Sequence, residues 1–165
     1  MPDTVDPAAY RKVMSRLPTG VTVVGTAHRD GGVCGLTANA VISVSLEPPT
    51  VLVSVHHSSA THDCLIASRV FSVNVLSVGQ EDLARRFAEK RADRFDGVAY
   101  TVAPDGTPLL EGAVARLRCV VDVSHGGGDH TLFLGRVVDM EEFDGDPLVF
   151  ERRRYLGVAG EEPVP

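Results

Sequence analysis

Val41-Ile42-Ser43-Val44-Ser45-Leu46-Glu47-Pro48-Pro49-Thr50-Val51-Leu52-Val53-Ser54-Val55 decides the fold. Ile42, Val44 and Leu46 alternate with Val41, Ser43 and Ser45, the period-2 pattern of a strand buried on one face. Pro48-Pro49 ends that strand, because proline offers no ladder donor and fixes its own φ. Thr50–Val55 is then almost wholly apolar and β-branched, the composition of a second, more central strand.

The same pattern recurs on both sides. Upstream, Val21–Ala27 and Val33–Ala38 are strands joined by Arg29-Asp30-Gly31-Gly32, which is turn chemistry and predicts a hairpin. Downstream, Val70–Leu76 alternates, with Phe71, Val73 and Val75 on one face. Ala113–Val123 sends Ala115, Leu117, Cys119 and Val121 one way and Arg116, Arg118 and Asp122 largely the other. Tyr100–Ala103, Thr131–Met140 and a short segment after Asp144-Gly145-Asp146-Pro147 are the remaining strand candidates. His125–Asp129 reads as a Gly-rich loop, whose flexibility suits a lid.

Helices are few and short. Asp6-Pro7 suits an N-cap followed by proline at the first helical position, with Tyr10, Val13, Met14 and Leu17 forming one apolar stripe that Pro18 stops. Ser58-Ser59 caps a helix over about Ala60 to Ala67. Ser77-Val78-Gly79-Gln80 has capping-box spacing ahead of a helix from about Gly79 to Ala88. Strands and helices do not alternate regularly, as a doubly wound sheet requires. A mainly β, closed or nearly closed antiparallel barrel follows, and closure also removes exposed strand edges.

At 165 residues with 44% apolar content, the chain suits one domain, residues 1–160, with Glu161–Pro165 as a disordered tail. A net charge of −6 speaks against a nucleic-acid or anionic-membrane surface. No apolar run approaches the ~20 residues that span a bilayer, and the acidic N-terminus lacks the basic start of a signal peptide. The three cysteines, Cys34, Cys64 and Cys119, lie far apart and form no disulfide framework, so a reducing, cytoplasmic setting is expected.

Four segments could carry chemistry. His125-Gly126-Gly127-Gly128 resembles an esterase oxyanion-hole stretch, but the chain has no G-x-S-x-G elbow to accompany it. His56, His57, His62 and Cys64 crowd together, yet H-x4-H-x-C matches no common zinc spacing, and ordinary loop histidines beside a buried cysteine are the expected reading. Leu83–Phe95 gathers five of the sixteen cations beside Phe87 and Phe95, which suits a phosphorylated planar ligand or, more plainly, a solvated helix face. Thr37-Ala38-Asn39-Ala40 ends a strand with small side chains that let backbone groups approach a ligand, and Asn39 offers both donor and acceptor.

Taken in order, nine short motifs over about residues 10–157 resemble the flavin-reductase-like, FMN-binding split-barrel family. They are Pro18-Thr19-Gly20-Val21-Thr22-Val23-Val24, Gly35-Leu36-Thr37-Ala38-Asn39, Ser43-Val44-Ser45-Leu46-Glu47-Pro48-Pro49, Ser59-Ala60-Thr61-His62, Phe71-Ser72-Val73-Asn74-Val75-Leu76, Arg86-Phe87-Ala88, Asp93-Arg94-Phe95, Gly128-Asp129-His130 and Pro147-Leu148. The resemblance implies a Greek-key split barrel that forms a homodimer, with flavin near the subunit interface. By the same analogy Thr37, Ala38, Asn39 and Ala40 line the flavin ring and ribityl chain, with Ser54 and Val55 continuing that wall. Ser59 and Thr61 hold phosphate at a helix N-terminus, and Phe87, Ala88 and Lys90 close the other side. His130 is the nicotinamide-side residue, and Arg154 and Tyr155 approach the pyridine nucleotide. Where such proteins commonly carry Ser after Thr-Ala-Asn, this chain has Ala40, which removes one hydroxyl contact of about 0.5–1.5 kcal/mol. The implied activity is reduction of FMN or FAD by hydride from NADH or NADPH, the reduced flavin passing to a separate oxygenase component. A non-catalytic flavin-binding protein on the same barrel and a metal-binding module on the histidine cluster are the alternatives.

Overall fold

The computed structural model describes residues 5–158, so the expected tail at Glu161–Pro165 lies outside the described residues. Asp6 caps α1 (Pro7–Met14), its carboxylate accepting from the Ala8 and Ala9 amides at 3.2 and 3.0 Å. Then come β1 (Thr19–Gly20), β2 (Thr22–Ala27), β3 (Val33–Ala38), β4 (Val41–Leu46), β5 (Pro49–His56), α2 (Ala60–Ser68) and β6 (Val70–Val75). The capping box forms as its spacing requires, the Ser77 amide donating to Gln80 Oε1 at 3.0 Å ahead of α3 (Glu81–Ala88). The chain closes with β7 (Tyr100–Val102), β8 (Pro108–Leu110), β9 (Ala115–Gly127), β10 (His130–Glu142), β11 (Leu148–Glu151) and β12 (Arg154–Gly157).

Seven strands form one antiparallel sheet in the order β3-β2-β6-β9-β10-β5-β4, while β1, β11 and β12 make a small second sheet. The two end strands, β3 and β4, are consecutive in the chain. Asn39 and Ala40 join them, and the Ser54 amide donates to the Ala40 carbonyl at 3.1 Å, tying that corner to β5. One buried cluster draws Val24, Ala38, Val53, Phe71, Cys119 and Phe133 from six strands, so the sheet wraps around a single interior. The fold is therefore mainly β with few helices, as the sequence predicts, although among the described residues no ladder joins β3 to β4. A second cluster, including Val21, Val23, Leu76, Phe87 and Leu148, fills the space between the outer face and α3.

Three expectations fail, each for a physical reason. β4 turns Val41 toward the core, so the opposite face with Ile42, Val44 and Leu46 is exposed instead of buried. The stripe on α1 likewise finds no core in this chain, and Tyr10, Val13, Met14 and Leu17 are all exposed. Finally, Cys34 and Cys64 form a disulfide, leaving Cys119 as the buried free thiol. Separation along the chain concealed this pairing, because α2 packs back across β2 and β3 and carries Cys64 to Cys34.

Candidate functional site

The first turn of α2 supplies the clearest unused chemistry. Ser59 occupies the N-cap position in extended conformation, yet its side chain makes no cap hydrogen bond. Thr61 is 1% exposed, and its hydroxyl is buried with no partner. An unpaired buried hydroxyl costs about 1–3 kcal/mol, so this turn fits a ligand that accepts hydrogen bonds, such as a phosphate. Asp63 in the same turn is acidic and opposes that fit.

Next to it stands a histidine cluster that the β5–β10 register creates. His130 pairs with His56 across the ladder, their rings meeting edge-on at 4.9 Å. Asp129 lies between them, Oδ1 at 2.6 Å from His130 Nδ1 and Oδ2 at 3.3 Å from His56 Nε2. The hydrogen bond with His130 chiefly, with the field of His130 and His56 added, outweighs desolvation and holds the Asp129 carboxyl below its ordinary range. The Asp129 carbonyl accepts from the His57 amide at 3.0 Å, and His62 Nε2 lies 2.9 Å from the Thr131 hydroxyl. The loop histidines thus orient one another. Their cysteine neighbour is spent in the disulfide, and the sulfur-containing group of potential ligands among the described residues is instead His28, Cys34 and Cys64.

His130 sits on a shorter turn than the sequence suggests. Gly126 and Gly127 belong to β9, and Gly127 pairs directly with His130, leaving Gly128 and Asp129 as a two-residue hairpin loop. Gly128 takes φ +69°, the left-handed conformation that such loops ask of their first position. The expected Gly-rich lid is a rigid hairpin end, because alternate backbone groups of both glycines enter the ladder.

On the other side, Thr37 and Ala38 end β3, and the chain then exposes Asn39 and Ala40. The Thr37 hydroxyl donates to the Ala84 carbonyl at 2.6 Å, and the Ala38 carbonyl accepts from Thr22 Oγ1 at 2.7 Å. Ala38 and Val55 point into the core, so any contribution from them to a ligand comes from the backbone. Ser54, one residue earlier, faces the opposite way and is half-buried.

The basic stretch turns out to be largely self-contained. Arg85 pairs with Glu81, Arg91 with Asp93, Arg86 donates to the carbonyls of Asp93 and Asp96, and Arg94 donates to those of Glu89 and Gly35. Phe87 is buried and meets Phe95 edge-on at 4.8 Å. A Cβ on Gly35 would lie 2.9 Å from the Phe95 ring, which is why glycine precedes Leu36-Thr37. Ala88 and Lys90 remain exposed. Arg154 and Tyr155 belong to the small sheet: the Arg85 guanidinium stacks 4.9 Å from the Tyr155 ring, and Phe150 lies 5.1 Å away. No hydrogen bond or ring contact joins them to His130 within the described residues.

The structure therefore links Asn39–Ala40, Ser54, Ser59, Thr61 and His130 through β5 and α2, and places Arg154–Tyr155 elsewhere. The sequence shows His56 and His62 only as loop histidines, and Asp129 is the neighbour whose part it does not disclose. Asp129 was visible only as the neighbour of His130, and its bridging role depends on the cross-strand register. A cleft of about 1000 Å³ beneath α1 takes in Asn39 and Ala40 but none of the other candidate residues.

Comparison with known proteins agrees with this fold. The family described as flavin reductase like domain matches residues 14–159. The reductase subunit HsaB of a flavin-dependent monooxygenase from Rhodococcus jostii (strain RHA1) is 35% identical, over 99% of this chain and 84% of that protein. An NADH-dependent FAD reductase from Streptomyces globisporus is 43% identical, over 82% of this chain and 76% of its own length. The solved structure of the Streptomyces globisporus C-1027 NADH:FAD oxidoreductase SgcE6 in complex with NAD and FAD fragments superposes with a TM-score of 0.90 at 38% identity, covering 98% of this chain and 99% of that one. By fold, by the order of its motifs and by these matches, the chain belongs to the flavin reductase like family.

Proposed function

We propose that the protein oxidises NADH or NADPH and reduces FMN or FAD, supplying reduced flavin to a separate oxygenase component. When both cofactors are bound, the nicotinamide gives a hydride to the flavin, and the cofactors carry that chemistry. The chain's residues bind and orient. The first turn of α2, with Ser59 and Thr61, holds the flavin phosphate, and exposed Lys90 adds positive charge. The Thr37–Ala40 corner and the strand at Ser54–Val55 present backbone groups to the ring and ribityl chain, with Ala88 on the far wall and buried Phe87 packed behind it. His130, set by Asp129, positions the nicotinamide and moves no proton. Arg154 and Tyr155 reach the pyridine nucleotide from a second copy of the chain.

The observation that carries this reading is the first turn of α2, where the Ser59 hydroxyl makes no cap bond and the buried Thr61 hydroxyl has no partner within the chain. The chain acts as one flavin-reductase domain, in the cytoplasm and as a homodimer, without nucleic-acid or membrane partners. No helix among the described residues is long and apolar enough to cross a membrane. The test is direct: purified protein with FMN, FAD or riboflavin should oxidise NADH or NADPH well above the buffer rate. Absence of turnover with every flavin–nicotinamide pair would overturn the enzyme reading.

A further inference from the structure

We propose that Cys34 and Cys64 form a reversible thiol pair that hydrogen peroxide closes into the disulfide, and that closing it tightens the flavin site. The inference rests on the flavin-reductase reading above. Placement is the first support. Cys34 stands three residues before Thr37 on β3, and Cys64 three residues after Thr61 on α2. The bond therefore joins the two elements that present the ring corner and the phosphate turn. Its Cα atoms are 6.6 Å apart, within the span that a disulfide bridges without moving backbone.

Reactivity is the second support. Cys34 is partly exposed, so a small oxidant can reach it, and Cys64 lies buried beside it. A ring nitrogen of His28 and both sulfurs lie within 4.8 Å of one another, so a hydrogen-bonding group stands beside the pair. Cys119 provides the contrast inside the same molecule. It is fully buried, and burial pushes its thiol up to about 12, which leaves it inert. In a reducing compartment a disulfide is characteristically transient or redox-sensing.

The proposed activity supplies the oxidant. Reduced flavin that escapes its oxygenase passes two electrons and two protons to dioxygen, giving oxidised flavin and hydrogen peroxide. One cysteine thiolate attacks a peroxide oxygen; the O–O bond breaks, hydroxide leaves and is protonated to water, and a sulfenic acid remains. The second thiolate attacks that sulfur, the S–O bond breaks, and the hydroxyl leaves as a second water. Two thiols and one peroxide thus become one disulfide and two waters, sulfur losing two electrons. A small dithiol or a thioredoxin-class protein reverses the step by exchange. With α2 and β3 joined, less ordering remains for flavin to impose, so affinity rises. Tighter flavin means slower release, which curbs the leak that made the peroxide.

The experiment uses the whole chain, reduced with dithiothreitol, desalted and treated with one equivalent of hydrogen peroxide. Alkylation followed by peptide mass analysis should show a Cys34–Cys64 cross-link with Cys119 still free. The Kd for FMN should fall about three- to tenfold and recover after dithiothreitol. Cys34→Ser and Cys64→Ser should hold the reduced-state Kd with peroxide or without it, and His28→Ala should slow cross-linking about tenfold. Cycling the unaltered protein decides the matter even if a variant fails to fold. Full alkylation of both cysteines after peroxide, or a cross-link that leaves the Kd unchanged, would overturn the proposal. One equivalent of Zn2+ held by the reduced chain and blocking alkylation would overturn it as well, giving the cluster to a metal. If neither state bound FMN, the flavin reading itself would fall, a distinct result because the cross-link is read by mass alone.

Discussion

His130 and Asp129 show how far a single contact defines a role. With Nδ1 engaged by Asp129 at 2.6 Å, His130 keeps only Nε2 for a ligand, and the ring cannot rotate without losing that bond. A residue held in this way positions its partner. We expect His130→Ala to raise the KM for NADH, with a loss of about 1–3 kcal/mol in kcat/KM, roughly five- to two-hundredfold, and little change in flavin affinity. Steady-state kinetics with each substrate varied in turn measures both effects. An unchanged KM and kcat would remove His130 from the site, while a collapse of kcat alone with a bell-shaped pH profile would assign it proton transfer. Asn74 is the opposite case, a motif residue whose work is internal. It is fully buried; its amide donates to the Val23 carbonyl at 3.1 Å, and its oxygen accepts from the Leu110 amide at 2.8 Å. Asn74→Ala strands that amide and should lower stability by about 1–3 kcal/mol, measured by urea unfolding, with the KM values of the folded fraction unchanged.

At the scale of elements, the Ser59 hydroxyl at the start of α2 makes no cap bond and the buried Thr61 hydroxyl has no partner within the chain, so the phosphate reading can be tested by subtraction. Ser59→Ala with Thr61→Ala should raise the KM for FMN several-fold and leave riboflavin, which lacks phosphate, nearly unaffected; equal losses for both flavins would assign these hydroxyls a structural role. The β7–β8 hairpin makes a pH prediction. Burial alone would raise the Asp105 carboxyl, but two hydrogen bonds from Thr107 and the Arg118 guanidinium outweigh it and hold the carboxyl below its ordinary 3.8. A depressed carboxylate contributes stability that is fully present above the unfolded value and is lost as pH falls through the folded one. Acid titration of unfolding should therefore steepen below about pH 4, and Asp105→Asn should flatten that limb. These elements also mark what the sequence could disclose. Caps, turns and strand periods were legible for α1, α2, α3 and most strands because they are local. The outward face of Ile42, Val44 and Leu46, the Cys34–Cys64 pairing and the Asp129 bridge were not, since each depends on which strand or helix lies opposite. The basic stretch misled for a related reason: spacing shows that charges are close, but not that Arg86 and Arg94 are consumed by their own loop.

For the whole molecule, the exposed apolar faces pose the largest question. Ile42, Val44 and Leu46 on β4 are uncovered, Leu46 at 84%, and so are Tyr10, Val13 and Leu17 on α1, with Val13 at 69%. Asn39–Ile42 line the same large cleft as Tyr10, Met14 and Leu17, so the two faces meet there. A monomer seldom leaves such connected surface to water, and burying a large aliphatic side chain contributes about 1.5–3 kcal/mol. A second copy of the chain covering it around a two-fold axis meets that demand, because each copy offers the same patch. The flavin corner at Asn39–Ala40 would then border the interface, and a monomer would lack one wall of its site. Placing a charge there should separate the copies: Ile42→Glu buries a carboxylate at the proposed interface but stays solvated in a free chain. We expect the unaltered protein to sediment as a dimer at micromolar concentration and Ile42→Glu as a folded monomer, its circular dichroism retained and its flavin KM raised about tenfold or more. A fully active monomer, either of the unaltered chain or of the variant, would place the flavin site within one copy and assign the exposed face to the oxygenase partner.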